Sequence, residues 1–183
     1  MQLISSSSKR LIGAVVLAGA AALGPLAALA ATASPAAAVQ PGLAATPRCA
    51  ASGLVIWLDT DGNGAAGSTF YNLHFTNLSG RTCTLFGYPG VSAVNLAGRQ
   101  LGRAASRDSS RRPRTIRLAN RATATTTLRI VDAGNFVSTS CSPVTAAGLR
   151  VFPPNGAASK LVPFPFAACS RIGPAFLTVR AVR

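Results

Sequence analysis

Four cysteines, Cys49, Cys83, Cys141 and Cys169, all lie downstream of an N-terminal segment with the composition of an export signal. Thiols delivered to an oxidising compartment pair with one another, so these four are expected to form two disulfides, and two covalent staples constrain a chain of this size more than any other feature it has. Four cysteines allow three pairings, among which the sequence alone does not decide. Cys49 with Cys83 and Cys141 with Cys169 is the favoured arrangement, because each pair joins the edge of one strand region to a neighbour without crossing the other. Closing loops of about 30 residues would contribute roughly 3.5–4 kcal/mol each if unstrained. Metal binding is disfavoured: the chain has no Cys-x-x-Cys and no Cys/His ligand spacing. No metal and no cofactor are expected.

The export signal is read from Lys9 and Arg10, followed by a charge-free run of Ala, Leu, Val and Gly over 11–29. Ala28-Leu29-Ala30 and Ala36-Ala37-Ala38 both fit an Ala-x-Ala cleavage pattern, so residues 1–30 are assigned to a signal peptide and the mature start to the interval from Ala31 to Val39. The competing reading is a membrane anchor, since the run approaches the roughly 20 apolar residues that span a bilayer. Glycines and Pro25 interrupt it, and no positive flank follows to stop transfer. Lipidation would need a cysteine close behind the run, and Cys49 is too distant. Residues 31–48 are nearly all Ala, Pro, Thr and Gly, which cannot bury enough surface to offset the entropy of ordering them; they are read as a disordered linker. Residues 49–183 have the size of one domain.

Charge is the second constraint. The full chain carries a formal net charge of +14; without Lys9 and Arg10, 16 basic side chains face only Asp59, Asp61, Asp108 and Asp132, leaving +12, and there is no glutamate. Such a surface associates with polyanions. Eight arginines crowd one stretch: Arg99, Arg103, Arg107, Arg111, Arg112, Arg114, Arg117 and Arg121. They are the candidate docking patch for an anionic envelope polymer or lipid headgroups. The blander reading is a solvated face in a chain whose default base is arginine, for Lys160 is the one lysine left outside the signal. Aromatic residues do not interleave with these arginines in sequence, as a base-stacking platform requires, so nucleic acid is not the expected partner.

The chain reads as all-β. Short runs rich in Val, Ile, Leu, Thr and Phe alternate with Gly, Pro, Asn and Asp clusters, and strands are predicted over 54–59, 69–77, 82–86, 91–96, 100–104, 115–118, 122–131, 149–152, 161–163 and 176–182. The run 69–77 alternates cleanly, with Tyr71, Leu73 and Phe75 on one face and Phe70, Asn72, His74 and Thr76 on the other, as a half-buried antiparallel strand does. No window outside the signal has a helical period. The expected architecture is an immunoglobulin-like or related Greek-key β-sandwich with two disulfides.

At this point the residues carry a resemblance. Asp61-Gly62, Phe75-Thr76-Asn77-Leu78-Ser79-Gly80, Cys83-Thr84-Leu85-Phe86-Gly87-Tyr88-Pro89-Gly90-Val91, Gly98-Arg99-Gln100-Leu101-Gly102, Arg107-Asp108 and Gly148-Leu149-Arg150-Val151-Phe152-Pro153-Pro154, with the cysteines, resemble the secreted bacterial family catalogued as domain of unknown function 4232. The resemblance covers nearly all of 49–183. It implies an exported or lipid-anchored β-sandwich module with no assigned activity and no catalytic residues. Where relatives commonly carry Pro-Gly ahead of the strand at 122–131, this chain has Ala119-Asn120-Arg121.

Local signals for chemistry are thin. Asp59-Thr60-Asp61-Gly62-Asn63-Gly64 matches half of a calcium loop, but Phe70 stands where the bidentate glutamate belongs, and an Asp-Gly or Asn-Gly hairpin turn explains the same residues. His74 is the one histidine, placed on a strand's polar face with no Gly-x-Ser-x-Gly elbow to supply a nucleophile. Asp108 is read as an ion-pair partner of Arg107 or Arg111, Asn77-Leu78-Ser79 as a turn, and Trp57 as a core residue. The expectation is therefore an exported, monomeric, non-enzymatic module that binds or builds at the cell envelope, secreted or envelope-associated, with an anionic polymer or an envelope protein as partner. An Arg-rich binder of anionic cell-wall polymer or lipid headgroups is the specific alternative, and a secreted hydrolase ranks last.

Overall fold

The alternation read at 69–77 organises the molecule. In the computed structural model, which describes residues 45–183, the strand runs Ser68–Asn77 and pairs antiparallel with Thr123–Val131 along nine consecutive residue pairs, Ser68 with Val131 through Thr76 with Thr123. Period-two geometry sends alternate side chains to opposite faces. Leu73, Phe75, Ala124 and Leu128 are thereby buried, while His74, Thr76, Thr125 and Arg129 turn outward. The expected signal peptide and residues 31–44 of the expected linker lie outside the described residues.

Twelve strands are described: β1 (Leu54–Leu58), β2 (Asn63–Ala65), β3 (Ser68–Asn77), β4 (Cys83–Phe86), β5 (Gly90–Val94), β6 (Gln100–Leu101), β7 (Ser106–Asp108), β8 (Thr115–Leu118), β9 (Thr123–Val131), β10 (Pro143–Phe152), β11 (Lys160–Cys169) and β12 (Leu177–Arg180). One sheet has the order β1-β3-β9-β12-β7, with β2 also on β3; a second has β11-β10-β5-β6; β4 and β8 form a two-stranded ribbon. All pairs are antiparallel except β12 with β7. A single apolar cluster joins the three sheets, with Leu73, Phe75, Leu128 and Val179 from the first, Val91, Leu149, Val151 and Val162 from the second, and Leu85 and Leu118 from the ribbon. Burying each such side chain is worth about 1.5–3 kcal/mol.

The disulfides are Cys49–Cys83 and Cys141–Cys169, the favoured pairing. The first ties the chain entering the domain to β4. The second ties α1, the single helical turn Ser138–Cys141, to the last residue of β11. Residues 46–48, at the end of the segment read as linker, are engaged by β4 and β8. Thr84 N–H donates to the Pro47 carbonyl at 2.8 Å, and Arg117 donates to Thr46 Oγ1 at 3.0 Å.

Several strands depart from the sequence expectation for identifiable reasons. Strand β11 extends far beyond 161–163 although Pro163 and Pro165 lack amide protons. It is an edge strand, and a register shift between Ala146 and Gly148 of β10 absorbs the irregularity. A Cβ at Gly148 would stand 2.4 Å from the Val162 carbonyl oxygen, so this approach requires glycine. The hairpin before β3 does not turn at Asp61-Gly62 or Asn63-Gly64. It turns at Ala66-Gly67, both at positive φ (43° and 71°), as a type I′ connection demands, while Asp59–Gly62 interrupts the edge between β1 and β2. Trp57 is not a core residue: on β1 the alternation buries Leu54, Ile56 and Leu58 and leaves Trp57 43% exposed on the outer face. Strand parity overrides residue type there.

Asn77, fully buried, organises the turn after β3. Its Nδ2 donates to the carbonyls of Arg81, Leu118 and Ala119, and its Oδ1 accepts from Ser79 N–H and Oγ–H. The turn at 119–122 closes with Ala122 N–H donating to the Ala119 carbonyl, and it holds Arg121 at φ 68°, the left-handed region suited to glycine. Pro-Gly is the pair that a type II turn prefers at these two central positions, which Asn120 and Arg121 fill here.

Two expectations follow. Arg121→Gly raises stability by about 0.5–1 kcal/mol by removing the left-handed penalty, net of glycine's greater unfolded entropy, and a urea midpoint that falls instead contradicts the turn assignment. Replacing Cys141 and Cys169 together by Ser frees a loop with sequence separation 28 and lowers unfolding free energy by about 2–4 kcal/mol in the same assay.

Candidate functional site

The eight arginines of the 99–121 stretch are all exposed, but they do not share one surface. Arg99 sits in the β5–β6 turn, where Asn95 Oδ1 accepts its N–H at 2.9 Å. Arg103 lies between β6 and β7. Arg107, on β7, holds its guanidinium 5.6 Å from the Tyr88 ring centroid. Arg117 is on β8, and Arg121 is in the turn after it. The remaining three, Arg111, Arg112 and Arg114, converge with two residues outside the stretch, Arg180 and Arg183, around a cavity of about 230 Å³ whose floor includes Thr127, Ala181 and Val182.

The parallel pairing of β7 with β12 creates this convergence. With Ser106, Arg107 and Asp108 opposite Thr178, Val179 and Arg180, both chains run the same way, so the segment after β7 emerges beside the end of β12. Asp108 Oδ1 accepts the Ser110 N–H at 2.9 Å and turns the chain. Arg183 is positioned by a reciprocal pair of backbone hydrogen bonds with Thr125, at 2.9 and 3.0 Å. Nothing in the linear pattern distinguished Arg180 and Arg183, because the pairing that recruits them spans 72 residues of chain. A further correction concerns Asp108: its partner is neither Arg107 nor Arg111 but Arg180, whose Nε donates to Oδ2 at 2.8 Å. The Arg180 hydrogen bond, with those from Ser110, lowers the Asp108 pKa to about 2, so this carboxylate stays charged at every physiological pH.

Beyond Arg180 the surface continues into a second cavity of about 230 Å³, lined by Phe70, Asp108, Thr127, Arg129, Thr178 and Arg180. Thr127 and Arg180 border both. Here Arg129 lies 5.9 Å from the Phe70 ring centroid and donates through Nε to Ser68 Oγ at 3.0 Å. In space, then, aromatic rings do accompany arginines, Tyr88 with Arg107 and Phe70 with Arg129, although they are separated in sequence. Among the described residues the Arg180–Asp108 contact is the one ion pair. Five arginines border one small cavity, and among the described residues Asp108 is the one acidic side chain paired with any of them; their like charges repel, and an anion entering between them relieves that repulsion.

His74 lies on the same outer face. Its ring stacks on Trp57 with centroids 4.0 Å apart and planes 16° from parallel, and its Nδ1 is 3.0 Å from Thr125 Oγ1. Trp57 Nε1 donates to Thr76 Oγ1, which in turn meets Thr123 Oγ1 at 2.9 Å. Nε2 of His74 is buried without a hydrogen-bond partner, so no carboxylate orients the imidazole as a triad would need. Desolvation lowers the His74 pKa below its ordinary value, with the charge of Asp59 in partial opposition. Among the described residues no three His, Cys, Asp or Glu side chains come together, and no helix is long and apolar enough to cross a membrane.

A family model described as Domain of unknown function (DUF4232) matches residues 49–183, the stretch that contains both disulfides and both cavities. No curated protein matches the chain.

His74 gives a test of this face. The unfolded chain takes up a proton at this side chain near pH 6.5, and the folded chain does so only at lower pH. The stability conferred by the neutral, stacked ring is therefore complete above that value and is lost as the pH falls below it toward the folded pKa. With four acidic side chains and one histidine in the whole chain, little else titrates in that window. The urea midpoint is expected to fall between pH 7.5 and 5.5 in the parent and to stay level in His74→Gln; an equal fall in both contradicts the buried-imidazole account.

Proposed function

We propose that this chain, which belongs to the DUF4232 family through residues 49–183, is an exported, non-enzymatic binding module that docks on an anionic polymer at the cell envelope. The observation that carries this reading is the convergence of Arg111, Arg112, Arg114, Arg180 and Arg183 on one concave site. A chain that is merely rich in arginine scatters its charge over a solvated surface, as Arg99, Arg103, Arg117 and Arg121 do. Guanidiniums present rigid forks of donors that match phosphate and carboxylate oxygens in pairs, and clustering several around a cavity favours ligands with repeated charges. Two buried disulfides are compatible with an oxidising, extracytoplasmic location.

Lipid headgroups are the less favoured ligand. Binding to a bilayer surface is strengthened by apolar side chains beside the basic ones, entering the headgroup region. None of the exposed large apolar side chains lines the basin: Leu96 and Leu161 flank a groove between β5, β10 and β11 on the other sheet, and Val55 and Trp57 lie on β1, two strands away from β9. Hydrolysis is disfavoured by the isolation of His74 from any orienting carboxylate, and Asp108 is committed to Arg180 and to the turn at Ser110.

The test uses inorganic polyphosphate as a generic polyanion. If all five arginines each neutralise one charge, log K against log salt should slope at about −3.5, taking ~0.7 per charge on a single-stranded polyanion. The triple variant Arg111→Glu, Arg112→Glu, Arg114→Glu should abolish binding, whereas Arg99→Glu with Arg103→Glu should weaken it only slightly. Equal losses from the two variants would mean that overall charge, not the basin, does the binding.

A further inference from the structure

The two cavities differ in chemistry, and the difference narrows the ligand class. The first is lined by five arginines together with Thr127, Ala181 and Val182. The second has two guanidiniums, one carboxylate, the hydroxyl-bearing Thr127 and Thr178, and one aromatic ring, Phe70. Two arginines against Asp108 leave it far less positive than the five-arginine basin, and most of its polar groups are held in place. Arg180 is pinned to Asp108, Arg129 to Ser68, and Thr178 Oγ1 to Ser106 Oγ at 3.0 Å. A purely anionic ligand has no reason to prefer such a pocket. A ring with an apolar face and a polar rim does: the face covers Phe70, and the rim exchanges hydrogen bonds with threonine hydroxyls, guanidinium edges and a carboxylate, the mix of one apolar surface and a few fixed polar groups typical of small-ligand sites. Pyranose sugars have that build.

The register fixes how the two pockets relate. Phe70, Arg129 and Thr178 lie opposite one another across β3, β9 and β12, and one step along the strands on the same face come Thr127 and Arg180. Neighbouring strands are roughly 4.8 Å apart, and same-face residues along a strand about 6.6 Å. The two pockets are thus one sugar width apart, with Arg180 and Thr127 as their common wall.

Resting on the proposed polyanion docking, we infer that the two cavities form a bipartite site for an anionic glycan: a pyranose ring occupies the Phe70 cavity and its phosphate or carboxylate group occupies the five-arginine basin. Asp108 then has two roles. It fixes Arg180 at the boundary and presents its remaining lone pairs to sugar hydroxyls. The module would discriminate a charged glycan from a bare polyphosphate by the aromatic cavity, and from a neutral glycan by the basin.

The experiment compares four probes by calorimetric titration of the domain: dextran phosphate, polygalacturonate, inorganic polyphosphate and unmodified dextran. Dextran phosphate or polygalacturonate should bind more tightly than polyphosphate of matched charge, and the tighter of the two identifies phosphate or carboxylate as the anionic group; unmodified dextran should not bind. Phe70→Ala should weaken the charged glycan about 5–10-fold and leave polyphosphate within about twofold, with Phe70→Leu, which keeps apolar volume without the ring, giving the same split if the alanine variant is unstable. If Phe70 variants lose equally on glycan and polyphosphate, or lose nothing on either, the bipartite site is wrong while polyphosphate binding that depends on Arg112 and Arg114 still upholds the docking proposal. If no probe responds to Arg112→Glu with Arg114→Glu, both readings fall.

Discussion

The pairing of β3 with β9 is the constraint on which the rest depends. Nine residue pairs in one register commit alternate positions of two long strands to opposite faces, and a slip by one residue would exchange those faces. Leu73, Phe75, Leu128 and Ile130 hold the register by filling the core, so Phe70, His74, Thr125, Thr127 and Arg129 are displayed outward, where the His74–Trp57 stack and the Arg129–Ser68 hydrogen bond form on a face that core packing has already set. The outer face is a by-product of the inner one. Its chemistry is therefore free to vary while the core keeps the sheet intact, which suits a surface that binds.

Covalent closure complements this register at the margins. Two strands outside that pairing are short or irregular: β4 has four residues, and β11 carries two prolines. These are the elements the disulfides hold, Cys83 at the start of β4 and Cys169 at the end of β11. Weak local pairing and covalent stapling coincide in the chain. Buried asparagine does comparable work at the β3 exit, where Asn77 donates to the carbonyls of Arg81, Leu118 and Ala119 and so ties the turn after β3 to the end of β8.

Much of this was legible in the sequence wherever a period-two pattern met apolar side chains. The cores of β1, β3, β4, β8, β9 and β12 fell where expected, as did the cysteine pairing. The first half of β10, Pro143 to Gly148, was missed because Val144 and Thr145 are a strand signal only two residues long between Pro143 and Ala146-Ala147-Gly148; it is a strand because β11 pairs with it. Trp57 was misplaced because its size argued for the core, while its position between Ile56 and Leu58 argued for the surface, and position decided. The site was legible only in part. Arg111, Arg112 and Arg114 stood out as a local run, but Arg180 and Arg183 join them through a parallel pairing that no short-range pattern encodes, and the same long-range pairing takes Asp108 away from its sequence neighbours. Residues that meet across β-sheets at such separations are invisible to spacing rules.

The central claim is that an arginine-rich surface has one place where its charge is concentrated for binding. Arginine Nε–H resonances report on each guanidinium separately, so a titration of the domain with a short polyphosphate, followed by two-dimensional NMR, addresses the claim directly. The account predicts that the largest shifts cluster at Arg111, Arg112, Arg114, Arg180 and Arg183. Shifts of similar size spread over Arg48, Arg81, Arg99, Arg103 and Arg171 as well would contradict it.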